Sequence, residues 1–205
     1  MSFGTMAAIL FTWYFQSLGV SLGVLPTALI AIPFAIIFMI FYMLLIDKFV
    51  FKYYRNQKSP PVQLAMVSIG VMFVTQAVVR IIIGPSDRRF FDGEKFIIKA
   101  GEFKEITGLN EGLAIKSTQV LTILVTLILV STLFWFLNKT KTGKSMKAYS
   151  DNEDLALLSG IDPKKIVMIT WIIAGILATI GGTLYGLDKS FKPFTYFNNM
   201  LPIFA

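Results

Sequence analysis

The 205-residue chain contains no cysteine and no histidine. Disulfides, thiolate nucleophiles, imidazole acid–base chemistry and the usual zinc sites are thereby excluded. Charge is scarce as well: 15% of the residues are Asp, Glu, Lys or Arg, against about 25% in an ordinary soluble domain. The charge that exists is lopsided, with 19 basic and 12 acidic residues for a net charge of +7. In a soluble protein that balance would suggest a nucleic-acid surface. Here the basic residues sit in connections beside long apolar runs, where they set topology and face anionic lipid, so no nucleic-acid partner is implied.

What is abundant is apolar sequence: 55% of residues are hydrophobic and the mean hydropathy is +0.69. It comes in blocks. Residues 25–46, 62–83, 120–137 and 166–187 are nearly free of charge, and each run of about 18–22 residues is long enough to cross a bilayer as a helix. A fifth run, about 3–18, lacks the positive n-region and small-residue cleavage site of a signal peptide. The fold class expected is all-α: one polytopic helical membrane domain over 1–205 with about five transmembrane helices.

The connections orient it. Residues 47–61 and 139–165 together hold ten Lys and Arg, whereas 84–119 holds six and the tail after 187 holds two. Because dense basic charge in short loops stays inside, 47–61 and 138–165 are expected in the cytoplasm and 84–119 outside. The outer loop contains KFIIKAGEFKEI, whose partial alternation around Ala100-Gly101 predicts a small β-hairpin over 95–106. Its six basic and six acidic residues make a mixed, solvated surface, either a covering flap or a dock for an external partner.

Polar groups inside the spans are few. Ser68, Thr75, Gln76 and Arg80 share one run. The first three are candidates for a substrate pathway, while Arg80, four residues from Gly84-Pro85, can snorkel to the headgroups. Pro26 can start its helix and Pro33 can bend it. In the last run Gly175, Ala178, Thr179, Gly182 and Gly186 recur at three- and four-residue spacing. On a helix they form a small-residue stripe that lets two backbones approach closely, a packing seam within the bundle or with a second subunit.

The stretch KTKTGKSMKAYSDNEDLALLSGIDPKK, residues 139–165, interrupts two apolar runs. Its TGKS resembles the end of a phosphate-binding loop, but that loop needs a glycine where Asn138 stands, and no strand precedes it. Ser150 with Glu153 reads as a capping box, Leu155–Leu158 as a short helix, and Gly160 as its stop. Asp162-Pro163 then caps and opens the next helix. Ala156 and Gly160, four apart and small, form a notch flanked by Leu155 and Leu158. An apolar knob with a notch on a cytoplasmic loop suggests a socket on a partner protein; the alternative is a short interfacial helix resting on lipid.

The A-x-x-x-G-I pattern of Ala156, Gly160 and Ile161, after a basic run and before a small-residue-rich span, resembles the coupling loop of bacterial ABC importer permeases. LIDKFVFKYYRNQKSPPVQLAMVSIG and IIIGPSDRRFF narrow the resemblance to the LivH-type branched-chain amino acid permeases. The resemblance implies ATPase coupling through a 151–161 helix by Glu153, Leu155, Ala156, Leu158, Gly160 and Ile161. It further implies a second permease subunit, two ATP-binding subunits, an external amino acid binding protein, and a place in a bacterial inner membrane. ATP would be bound by the partner subunits, leaving this chain without a cofactor, metal or catalytic residue of its own. Family members carry further helical sequence at both ends, so the chain resembles a middle portion. The alternatives are a ribose-type sugar or amide/urea permease of the same superfamily, and a non-ABC membrane transporter. An intramembrane enzyme would need ionisable catalysts, and apart from Arg80 the spans hold none.

Overall fold

The structure, a computed structural model, describes residues 1–19, 27–57, 59–84, 86–88, 90, 96–98, 115–189 and 191. The chain divides into two compact units, Met1–Asp92 with Trp171–Ala205, and Gly93–Thr170.

In the first unit, α1 (Ser2–Ser17) is followed by α2 (Ala28–Ile46), a π-helical turn (Asp47–Phe51), α3 (Lys52–Asn56) and α4 (Pro61–Ile83). Pro33 is accommodated inside α2; Pro26 lies outside the described residues. The expected loop 47–61 is largely helical, because α2, the π turn and α3 form one continuous 29-residue helix, Ala28–Asn56. The physical reason is in the sequence: DKFVFKYYRN contains neither Gly nor Pro, and charge alone does not stop a helix. The break comes at Pro60-Pro61, with Pro60 extended and Pro61 in the first helical position, where its missing N–H costs nothing. At the other end of α4, Gly84 adopts φ +88° and terminates it.

The core of this unit gathers Phe3, Met6, Ala7, Ala8 and Ile9 of α1, Ala28, Ala35 and Met39 of α2, and Val79 and Ile83 of α4. Phe3 stacks on Tyr42 at 3.8 Å and on Phe38 at 5.5 Å. Phe90 and Phe191 close the core. The segment after α4 is fastened there: Arg88 and Phe191 exchange two backbone hydrogen bonds of 2.9 and 2.8 Å. Arg88 also donates to the Ile83 carbonyl and lies over the Trp13 ring.

In the second unit, β1 (Phe96–Ile98) pairs antiparallel with β2 (Ile115–Lys116), followed by α5 (Ser117–Lys139), α6 (Lys141–Asp151), α7 (Glu153–Leu158) and the first residues of α8 (Pro163–Lys189). The first strand falls inside the expected hairpin, but its partner is 115–116 rather than the stretch after Ala100-Gly101. The ladder thus brackets residues 99–114 of the expected 84–119 loop, and those residues lie outside the ones described.

Among the described residues four helices are long and apolar enough to cross a membrane: Ala28–Asn56, Pro61–Ile83, Thr118–Lys139 and Pro163–Lys189. The fifth apolar run is also a helix. At 16 residues, however, α1 rises only about 24 Å, short of a hydrocarbon core of about 30 Å. Little of the spans is covered: 22%, 11%, none and 28% of their central windows, in that order, are buried. Apolar surface on this scale has no place in water, and helices with all backbone groups paired internally are what lipid accepts.

Candidate coupling element and helix-packing seam

The interrupting stretch is more ordered than a loop. Thr140 leaves the helical conformation at the end of α5, and its hydroxyl accepts the Gly143 N–H at 3.0 Å, capping α6. Gly143 is the close-approach point: a Cβ there would overlap the Phe136 carbonyl oxygen and the Leu137 Cα. The chain therefore turns back tightly onto the last turn of α5. α6 ends at Asn152, whose side chain accepts the Leu155 N–H at 3.0 Å. This corrects the expected capping box. Asn152, not Ser150, caps α7, and Glu153 accepts from the Tyr149 hydroxyl at 2.7 Å.

At its other end α7 is closed by a Schellman motif. Gly160 N–H donates to Leu157 O (3.0 Å) and Ile161 N–H to Ala156 O (3.1 Å), with Gly160 at φ +79°. Asp162 then receives the Lys164 N–H at 2.9 Å ahead of Pro163. The expected 151–161 helix is thus the end of α6 and the six-residue α7, hinged at Asn152 and stopped at Gly160. Ala156 does not form an exposed notch: it is buried. The outward side carries Leu155, Leu157 and Leu158, exposed by 63, 44 and 89%. A fixed apolar tip remains, with Gly160 exposed beside it.

The small-residue stripe of α8 packs inside the first unit. Gly182 meets Thr5 of α1 so closely that a Cβ would overlap its Oγ1, with the Met1 carbonyl 3.2 Å away. Reciprocally, a Cβ on Gly4 would lie 2.6 Å from Thr179 Oγ1. Each helix offers a glycine to the other's threonine. Higher on α8, a Cβ on Gly175 would meet Met43 Sδ at 3.3 Å and Ile40 Cγ1 at 3.5 Å, while Ala178 borders the core and Gly186 is buried. The α1 half of this interlock was missed in the sequence, although Gly4-Thr5 and Ala7-Ala8 carry the same small-residue signal.

A family model described as branched-chain amino acid transport system / permease component matches residues 1–205. The chain belongs to this permease family. A relative in Methanocaldococcus jannaschii, named "Probable branched-chain amino acid transport permease protein LivH", is 36% identical over 86 residues, which are 42% of this chain and 27% of that protein. The match therefore spans about a quarter of the relative's length. No solved structure matches. With its four long apolar helices, this permease-family chain is a multi-pass membrane protein.

The polar residues expected along a substrate pathway are not drawn together. Thr75 shares a 2.7 Å hydrogen bond with the Tyr42 hydroxyl and donates to the Val71 carbonyl. Ser68 is exposed and donates to the Ala65 carbonyl, Gln76 is half-buried, and Arg80 is exposed. A cluster that sequence reasoning missed lies at the π turn. Asp47 accepts both arms of the Arg55 guanidinium at 2.9 and 3.2 Å, and its Oδ1 also accepts the Trp171 indole N–H at 2.8 Å. Phe51 lies against the Trp171 ring. Asp47 and Arg55 are eight residues apart, and Trp171 is far along the chain. Their association needs the π turn and the tertiary approach of α8, neither of which has a sequence signature. This clasp fixes the start of the unit's α8 segment to the end of α2.

Proposed function

We propose that this chain is part of the permease subunit of an ATP-driven importer for branched-chain or similar small amino acids, worked by a separate ATPase through 151–161. The observation that carries the reading is the apolar tip of α7. Leu155 and Leu158 project from a helix of six residues that is capped by the Asn152 side chain at one end and closed by backbone hydrogen bonds at the other. A short helix held this way resists bending, so force applied to the tip passes along the chain into α8 rather than being absorbed locally. A permease that receives ATP-driven work needs such a rigid handle, because the ATPase shifts the transport equilibrium only through contacts that differ between the two states.

In this reading two permease subunits enclose the pathway, two ATP-binding subunits seat beneath, and an external binding protein delivers the amino acid. The permease takes no cofactor of its own. The amino acid specificity rests on the family and on the name of the LivH relative. The charge distribution supports a topology with 47–61 and 138–165 on the cytoplasmic face of an inner membrane and 84–119 outside.

The test uses the full transporter. Gly160→Glu would combine a new charge at the socket with strain at a positive φ, so Leu158→Glu is the cleaner change: it alters only an exposed side chain. The expected result is at least a tenfold loss of co-purifying ATPase, or hydrolysis no longer stimulated by the binding protein, with permease yield and melting unchanged. ATPase retention and stimulated hydrolysis both at wild-type level would sink the coupling role. Orientation is checked separately, without native cysteines to interfere. Ser150→Cys should react with an impermeant thiol reagent only after the membrane is opened, and Ser86→Cys in intact cells. The reverse pattern inverts the topology.

A further inference from the structure

The lysines of α6 and the residue before its cap form a feature that the transport reading does not use. Lys139, Lys141, Lys144 and Lys147 are all exposed, and no acidic residue occurs between 139 and 150. Among the described residues none of the four has a carboxylate partner; the ion pair found there joins Arg55 and Asp47. Much of the rest of α6 is packed, with Gly143 buried against the α5 backbone and Thr142, Ser145, Met146 and Tyr149 half-buried. Lys141 and Lys144 thus stand exposed on a helix held in place against α5, and Lys147, one turn beyond Gly143, lies toward α5.

The depth of α6 is fixed as well. The span Thr118–Lys139 has 22 residues, about 33 Å of helix, which fills a hydrocarbon core of about 30 Å. Lys139 thus stands where hydrocarbon ends. Gly143 holds α6 against Phe136 and Leu137, and the Lys147 ammonium donates to the Asn138 side chain in the last turn of the span. The lysines are consequently kept at the level of that last turn, inside the headgroup layer, rather than carried out into the aqueous phase. Trp135, 61% exposed and one turn before Lys139, sits just inside the same boundary.

We propose that Lys139, Lys141, Lys144 and Lys147 form a binding site for the phosphodiester headgroups of acidic phospholipids at the end of α5. Uncompensated ammonium groups at headgroup depth attract anionic lipid, and each basic residue near the surface multiplies the local preference about fivefold. The lysines then do more than orient the span. They hold an annulus of acidic lipid around the base of the elbow that leads to α7. The inference rests on membrane residence and stands whether or not the transport reading does.

Trp135 makes the site readable. With Trp13→Phe and Trp171→Phe it is the sole indole of the chain. The full chain is reconstituted in bilayers containing brominated phosphatidylglycerol or brominated phosphatidylcholine, and quenching of Trp135 is compared. The expected result is much stronger quenching by the brominated acidic lipid. In Lys141→Gln/Lys144→Gln/Lys147→Gln the preference should fall roughly a hundredfold, and the triple Arg variant should restore it. The same preference is measured by counting retained lipids on the protein with all three Trp present, which guards against damage from the Phe substitutions.

Equal quenching by the two lipids in the parent protein overturns the proposal. So does a preference that survives the triple Gln change in a folded, inserted protein. If inorganic phosphate abolishes the preference and chloride at matched ionic strength does not, the site belongs to a free anion. If the lysines prove dispensable for lipid but necessary for retaining the ATPase, the face belongs to a protein.

Discussion

Gly182 and Gly160 both stand in small-residue patterns, and the fold needs them for opposite reasons. At Gly182 the backbone is an ordinary helix and the constraint is the neighbour, because Thr5 occupies the space a side chain would take. At Gly160 no neighbour lies within 4 Å of the place a Cβ would take, and the constraint is the backbone itself, held at φ +79° to close α7. One glycine is required by packing and the other by chirality. The distinction determines what each can become.

The largest effect is expected at the packing glycine. Gly182→Leu must part α1 and α8, and should cost about 3 kcal/mol or more, seen as loss of folded protein in detergent and a lower melting temperature. Gly182→Ala should cost about 1–3 kcal/mol, and Thr5→Ala, by removing the obstructing hydroxyl, should recover a good part of that loss. A strictly additive double variant would mean that the two residues do not interlock.

The clasp sharpens the comparison from the other side, since it joins two elements by side chains that are present rather than absent. Asp47→Asn should lose both charge-assisted bonds to Arg55, about 1–3 kcal/mol in total after allowance for the partial exposure of the pair. Trp171→Phe should cost less, about 1 kcal/mol. A melting temperature unchanged by either would show that α8 is held by the glycine seam alone.

At the chirality glycine, Gly160→Ala should cost about 1–2 kcal/mol although nothing obstructs the methyl group, and Gly160→Asn should cost less because Asn tolerates this conformation. If Gly160→Ala is harmless while Gly182→Ala is not, the backbone constraint is weaker than the packing one. Smallest of all, Phe134→Leu on the uncovered side of α5 should stay within about 0.5 kcal/mol. A large effect there would reveal a protein neighbour where lipid is expected.

Much of this fold was legible in the sequence, and the physical reason is the bilayer. Apolar length alone located the helices, and Gly84, Pro61, Gly160 and Asp162-Pro163 mark boundaries by local chemistry that needs no tertiary context. The stripe on α8 was legible too. Its partner on α1 was not identified, because a one-dimensional pattern says which face is flat but not what it meets. The helix through Asp47–Asn56 was obscured because its charges were read as loop. The capping box was misplaced by two residues, because Ser150 and Asn152 are both competent caps and only the observed break of α6 separates them. The burial of Ala156 depends on tertiary packing, which no local rule supplies.

The glycine–threonine interlock has a consequence for biosynthesis. Thr5 and Gly182 stand about 180 residues apart, so at roughly 5–20 residues per second a ribosome delivers α8 some 10–35 s after α1. Through that interval Thr5 lacks the helix it will meet. Its hydroxyl does not need that helix: Thr5 donates to the Met1 carbonyl and Thr12 to the Ala8 carbonyl, as Thr179 and Thr183 on α8 donate to Gly175 and Thr179. Each of these threonine hydroxyls is satisfied within its own helix, so none of them is left as a stranded donor in lipid while α1 waits. The late arrival of α8 then requires only that shapes fit. The seam can be assembled last, by helices whose threonine hydroxyls were already paired before they met.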